Sequence, residues 1–337
     1  MKRLMLLAVC AVLLGVSGFA SVCLGQTYRL TYSSFFPPSH VQSVLAEEWA
    51  REVEKRTAGA VVIDFYPAGT LTGARQAYDG VVQGISDIGL SALAYSRGRF
   101  PLMEAVDLPL GYTSGAQATR VANSVYSHFV PRELQDVHVL YFHAHGPGLL
   151  HTRQKAVRSL EDMQGLKLRA TGNSASVVKA LGGTPVAMSM PESYQSIQRG
   201  VVDGGMYPAE TNKGWKMAEV VDYCTEAVPV AYTTTFFVVM NKDRWESLPG
   251  EVQETITRIS REWAPRHGAA WDESDAEGRA FFAAQGNSFI TLEEAEMARW
   301  KQAVEPVVQE YVRQAAKRGV DAEGVVEFIR NELASGR

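Results

Sequence analysis

Apolar positions along the chain change period repeatedly, and each change marks a predicted element. TYRLTYSS (27–34) alternates as a strand, residues 37–57 carry apolar side chains at helical spacing with charges between them, and AVVIDFY (60–66) returns to strand character. A helix over 75–85, a strand over 87–96 and a proline-containing loop over 101–114 follow, the loop leading into a further helix. This rhythm predicts an α/β lobe.

VHVLYFHAHGPG (137–148) reads as a strand broken at Gly146–Gly148, where the chain is expected to cross into a second lobe. There, strand 166–170, helix 174–183, strand 185–189, helix 191–200 and strand 202–208 predict a parallel α/β lobe. TTTFFVVMN (233–241) should return to the first sheet, residues 243–286 look mostly helical, and helical spacing over 292–333 predicts packing on the second lobe. The expected layout is two discontinuous lobes, residues 26–148 plus about 236–275 and residues 149–235 plus about 276–337.

Length and composition agree with that layout, since 337 residues suffice for two domains and 46% hydrophobic with 21% charged residues suits packed cores. The start adds a location. Lys2 and Arg3, the apolar run Leu4–Val16 and the small residues after it predict a secretory signal over 1–25, cleaved after Ala20 or after Gly25. That run is short for a membrane span, and nothing later approaches the roughly 18 apolar residues a span needs. Cys23 lacks the flanking residues of a lipoprotein anchor. With Cys10 and Cys23 in the signal, Cys224 is left alone, so no internal disulfide is expected in a periplasmic chain. Net charge moves from −4 to −6 once Lys2 and Arg3 leave, with 31 basic against 37 acidic residues, which argues against nucleic acid as a partner.

Candidate chemistry centres on Arg169, at the end of the short strand LKLRA before a Gly-containing turn that carries Asn173. In open α/β sheets ligands sit beyond the carboxyl ends of strands, where Arg169 and Tyr207 both fall. Position alone leaves open a structural ion pair between Arg169 and a nearby acid such as Glu161 or Asp162. Enzyme signatures are missing: no GxSxG, GxxxxGK[ST], HExxH or strand-following GxGxxG occurs, and Asp87 and Asp203 read as strand-entry residues. His143, His145 and His151 could approach one another, yet no Cys or close carboxylate completes a metal site, and no cofactor is expected. His143 and His145 read as hydrogen-bonded strand histidines near the crossing, and His40 as a helix-capping or cleft-facing one.

The segments FPPSHVQSVLAEEWAREVEKRTAG (36–59), LEDMQGLKLRA (160–170), GGTPVAMSMPESYQSIQRGVVDG (182–204) and VVMNKDRWESLPGEVQETI (238–256) together resemble the extracytoplasmic solute-binding proteins of tripartite ATP-independent periplasmic (TRAP) transporters, the DctP-like group. The resemblance spans nearly the whole mature chain. It implies two α/β lobes joined by crossing strands and a long bridging helix, closing on one small organic acid. It also implies a membrane partner of two integral subunits driven by a sodium gradient, and a monomeric binding protein. In that group the arginine of the LKxR segment pairs with the ligand carboxylate, and here it is Arg169. The physics agrees, because a guanidinium offers a planar fork that matches a carboxylate with two charge-assisted bonds.

Departures from the family pattern bear on the ligand. Many members read DGxENP at the strand end, with the Asn helping to hold the carboxylate, whereas Met206 and Tyr207 stand here; a second arginine found in some members corresponds to Leu149. On the facing lobe Ser91, Ala92 and Tyr95 occupy positions that often meet polar ligands. Phe35, Phe36, Met190, Tyr232, Phe236 and Phe237 add apolar side chains, and alternation lets only one of Phe236 and Phe237 line the cleft. The expected ligand is a monocarboxylate with an aromatic or apolar body, an aryl or indolyl acid or a 2-oxo acid, with C4-dicarboxylates or another polar organic acid as the rival. The residues expected to meet it are Arg169, Tyr207, Met190, Phe36, Phe35, Ser91, Tyr95, Leu149, Asn173, Phe237 and Tyr232.

Overall fold

The computed structural model describes residues 27–335, so the signal segment with its cleavage positions, Cys10 and Cys23 lie outside the described residues. The chain opens with β1 (Tyr28–Ser34), α1 (Val41–Arg56), β2 (Val61–Tyr66), α2 (Ala77–Val82), β3 (Ile88–Ala92), α3 (Gly115–Phe129) and β4 (Val137–Ala144). It crosses at Gly146–Gly148 into β5 (Leu149–Thr152), β6 (Lys167–Ala170), α4 (Gly172–Ala180), β7 (Thr184–Ala187), α5 (Met190–Gln198), β8 (Gly204–Tyr207), α6 (Thr211–Gly214) and β9 (Tyr223–Glu226). It returns through β10 (Thr235–Asn241) and α7 (Lys242–Glu246), then runs along α8 (Gly250–Ala284) to β11 (Ser288–Thr291), α9 (Glu294–Ala316) and α10 (Ala322–Ala334).

Two sheets result, ordered β2-β1-β3-β10-β4 and β11-β9-β5-β8-β6-β7. Each crossing exchanges a strand. β10 lies antiparallel between β3 and β4, which closes the first sheet with a segment distant in sequence. The second lobe is mixed rather than parallel as expected: β6 pairs parallel with β7 and β8, but β5 enters from the crossing and runs antiparallel to both β8 and β9. A direct strand-to-strand crossing delivers β5 in the opposite sense, whereas parallel pairing needs a helical return.

α8 has 35 residues, about 52 Å at 1.5 Å per residue, and packs on α1, α3 and β4 of the first lobe and on α6 and β11 of the second. It is the bridge between the lobes. Two glycines at these connections have steric reasons: a Cβ on Gly148, in the crossing before β5, would collide with the Tyr232 ring, and one on Gly278, within α8, with the Ala209 carbonyl. The C-terminal tail divides, for α9 lies against α4 while α10 turns back onto α3, so only the first part covers the second lobe. Asp321 caps α10 through Gly324 N and marks the break between the two helices.

Asp87 and Asp203 are strand-entry groups, as expected. Asp87 accepts from Thr31 N at 2.8 Å and from Arg244 Nε at 2.8 Å, and Asp203 accepts from Lys167 N at 2.8 Å. Among the described residues no helix is long and apolar enough to cross a membrane, and no group of three or more His, Cys, Asp or Glu side chains could hold a metal.

Candidate ligand pocket between the lobes

The ends of β1, β6 and β8 meet where the sheets face each other, and β10 supplies the wall that belongs to the first sheet. Phe35 and Phe36 follow β1 directly, and their rings stack with centroids 4.2 Å apart. Tyr95 ends a 3-10 turn after β3 and meets Phe35 edge-on at 5.5 Å. From the second lobe Trp215, just past α6, stacks over Phe35 at 6.1 Å. Phe236 of β10 lies 5.4 Å from Phe36 and stacks on Trp271 of α8 at 5.3 Å. Offset and edge-on rings at such separations are the preferred arrangements for aromatic packing.

Arg169 enters this aromatic enclosure from β6 and is 5% exposed. Nε donates to the Met188 carbonyl, just past β7, at 3.1 Å and Nη1 to the Met206 carbonyl of β8 at 3.0 Å, and these two bonds orient the guanidinium. Among the described residues it makes no ion pair. Glu161 is taken by Arg299, and Asp162 caps the turn at Ser159 through its main-chain N–H at 3.1 Å, so neither of the nearby acids is its partner. A buried guanidinium with unused donors and no counter-charge is costly, and an anion would relieve that cost.

The remaining walls are polar on one side. His145 Nδ1 donates to the Gly146 carbonyl, and burial, reinforced by the Arg169 charge against that hydrogen bond, pushes its pKa down to about 4, leaving a neutral ring with Nε2 as an acceptor. His40 Nδ1 accepts from Gln42 N at 3.2 Å, so its proton sits on Nε2 and is donated to Glu210 Oε2 at 3.1 Å. Glu210 is 2% exposed, and its other oxygen, Oε1, has no partner among the described residues. The Tyr207 hydroxyl is likewise buried without a partner, and its ring stacks on His151 at 4.3 Å. Burial pushes the Tyr95 phenol up while the Arg169 charge opposes it; the hydroxyl accepts from Met190 N at 3.0 Å across the cleft. The space left among these side chains is 30 Å³, room for about one or two waters.

Arg169, Tyr207, Met190, Phe35, Phe36 and Tyr95 thus come together as the sequence suggests, and five expected residues do not. Phe237 points to the opposite face of β10, packing on Tyr78 at 5.5 Å, and Phe236 takes the cavity side. Ser91 pairs in register with Phe237 on that same far face and donates to the Ala74 carbonyl at 2.6 Å. Leu149 lies beside Tyr207 in β5 and is core. Asn173 Nδ2 spans to the Glu104 carbonyl at 2.7 Å. Tyr232 stands one layer back, edge-on to His145 at 5.7 Å. Trp215, Trp271, Glu210, Thr171, Thr211 and Thr234 line the cavity without having been anticipated. A signal existed for Trp271: Trp263, His267, Trp271 and Asp275 recur every fourth residue and so share one face of α8. His143 accepts from Trp271 Nε1 at 3.0 Å and stacks between His267 at 4.5 Å and Phe236 at 5.0 Å, a hydrogen-bonded strand histidine.

Residues 32–315 match the family described as bacterial extracellular solute-binding protein, family 7, which includes the DctP proteins. The chain belongs to this family. Its structural neighbours are TRAP periplasmic solute-binding proteins, which bind small organic acids and work with membrane transporter subunits. A TRAP solute-binding protein from Bordetella bronchiseptica, solved with bound (R)- and (S)-mandelate, is 30% identical with a TM-score of 0.86, over 92% of this chain and 99% of that one. Another from Rhodoferax ferrireducens, solved with copurified benzoate, is 28% identical with a TM-score of 0.87, over 92% and 98%. The C4-dicarboxylate-binding periplasmic protein DctP of Rhodobacter capsulatus is 26% identical over 85% of this chain and 87% of its own length. Family 7 proteins are substrate-binding components of transport.

Proposed function

We propose that this family 7 protein captures a monocarboxylate with an aromatic or apolar body and delivers it to TRAP membrane subunits, Arg169 pairing with the carboxylate. The observation that carries this is a buried guanidinium that makes no ion pair among the described residues, surrounded by Phe35, Phe36, Tyr95, Trp215, Phe236 and Trp271. Relatives carrying benzoate and mandelate support the aryl class. A C4-dicarboxylate fits less well, because the carboxylate of Glu210 lines the same cavity and would repel a second anionic group. The remaining space of 30 Å³ is far below the volume of an aryl ring, so ligand access requires the lobes to part. Binding then shifts the lobes toward closure to the extent that the ligand touches both.

The working location follows from the family and from the basic, apolar start of the chain, read as an export signal over 1–25. Residues 26–148 with about 236–275 and 149–235 with about 276–337 are the proposed moving bodies, and the proposed active form is a monomer.

Calorimetry with benzoate, phenylacetate, indole-3-acetate and succinate tests the reading. At least one aryl acid should bind far more tightly than succinate. Arg169→Ala should abolish that binding with the melting temperature of the unliganded protein preserved, and Arg169→Lys should weaken it by about tenfold or more as the fork becomes a point charge. Succinate as the tightest ligand would overturn the aryl assignment, and unchanged affinity in Arg169→Ala would overturn the anchor.

A further inference from the structure

The pocket has a second recognition pole made of acceptors. Glu210 sits between Pro208 and α6, with its main-chain N–H donating to Asp275 Oδ1 at 2.7 Å, so α8 fixes its backbone. Its Oε2 is satisfied by the Nε2–H of His40, a ring held in that tautomer by Gln42 N. Its Oε1 is buried and unpaired, and the residue lines the cavity that contains Arg169. His145, also in that lining, presents Nε2, an acceptor while Nδ1–H is committed to Gly146. Leaving a buried carboxylate oxygen without a donor carries a desolvation cost that a hydrogen-bond donor removes. The cavity therefore offers donors at Arg169 and acceptors at Glu210 and His145, with rings between them.

We infer that Glu210 reads a hydroxyl on the ligand, so that the preferred solute is a hydroxylated aryl monocarboxylate rather than its unsubstituted parent. This rests on the aryl-carboxylate reading of the same pocket and narrows it. An unsubstituted acid can satisfy Arg169 but leaves Oε1 unpaired in a closed, nearly dry enclosure. A hydroxylated acid satisfies both poles. The structural alternative is that Glu210 serves only as the buried partner of His40, in which case the hydroxyl earns no preference.

Calorimetry on the full protein decides, using phenylacetate, its ortho-, meta- and para-hydroxy derivatives, mandelate, and the corresponding methoxy ethers, which keep the oxygen and lose the proton. At least one hydroxylated acid should bind about ten- to a hundredfold more tightly than phenylacetate, as expected for a hydrogen bond to a charged group, and its ether should lose that advantage. In Glu210→Gln, similar in shape but uncharged, the ratio of hydroxylated-acid to phenylacetate affinity should shrink to within about threefold. A purely structural role would lower the melting temperature without moving this ratio. If the wild type binds all the acids alike and Arg169→Lys weakens them alike, the inference falls and the aryl reading stands. Persistence of the hydroxyl preference in Glu210→Gln also overturns the inference. Binding of none of these acids by the wild type overturns the aryl reading and the inference together.

Discussion

Phe236 and Phe237 are neighbours in sequence with opposite duties. Phe236 faces the cavity between Phe36 and Trp271, whereas Phe237 packs beneath the first sheet on Tyr78 and Phe100. Phe237→Ala should therefore cost about 3–5 kcal/mol in urea unfolding, the usual price of a large cavity in a core, and leave ligand affinity close to wild type in the fraction that is folded. Phe236→Ala should lower affinity for an aryl acid in calorimetry by about tenfold or more. The reverse pattern would mean that the faces of β10 are misassigned. Strand alternation makes such a choice binary but does not say which way the strand is turned, and that depends on pairing with β3 and β4, from chain segments far away. The place of Arg169 at the cavity was legible because short, punctuated strands bracket it, whereas position alone left its partner open. Trp215 was not, since it follows a four-residue helix with no periodicity to place it. Glu210 was hidden for another reason: its meaning lies in a partner, His40, 170 positions away.

At the scale of elements, long periodic segments such as α1 and β1 could be read from their own residues, while β5, β9 and β11, each four residues long, could not. Leu-Leu-His-Thr has no alternation, and it becomes a strand because β8 and β9 offer edges to it. The start of β10 shows how a crossing is secured. Asp107, in the turn Met103–Asp107, is 3% exposed, and its Oδ1 accepts from Thr235 N at 2.8 Å and Thr235 Oγ1 at 2.7 Å. Burial pushes its pKa up to about 8, with the Thr235 bonds opposing and the nearby Glu104 charge adding to the rise. Unfolded, the group titrates near 3.9. Between about pH 4 and about 8 the unfolded chain thus releases a proton that the folded chain keeps, and stability falls as pH rises through that window, the loss being complete above it. Asp275, raised to about 7 chiefly by burial, contributes with the same sign. Asp107→Asn keeps an acceptor for Thr235 and removes the titration. Urea unfolding across the window should show a slope shallower by up to about 1.4 kcal/mol per pH unit, and an unaltered slope would show that Asp107 ionises freely in the folded state.

For the whole molecule, closure rests on a few polar ties at the rim and rings in the middle. Asn173 of the second lobe holds the Glu104 carbonyl of the first at 2.7 Å, Met190 N donates to Tyr95 Oη at 3.0 Å, and Arg75 lies 3.4 Å from Glu192. Trp215 on the second lobe covers Phe35 and Phe36 on the first. Asn173 was expected as a ligand contact; the structure makes it a tie between lobes, an assignment that depends on where α4 meets the loop after β3. A tie of this kind raises affinity without touching ligand, by enlarging the closed population that the ligand needs. Asn173→Ala should therefore weaken every ligand by the same factor, about two- to tenfold for one hydrogen bond, and should do so chiefly through faster dissociation measured by stopped flow. The ratio between hydroxylated and unsubstituted acids should not move, because Asn173 does not line the cavity. A ligand-dependent loss would place Asn173 in recognition instead, and unchanged affinity and dissociation would mean that closure is held by the rings alone.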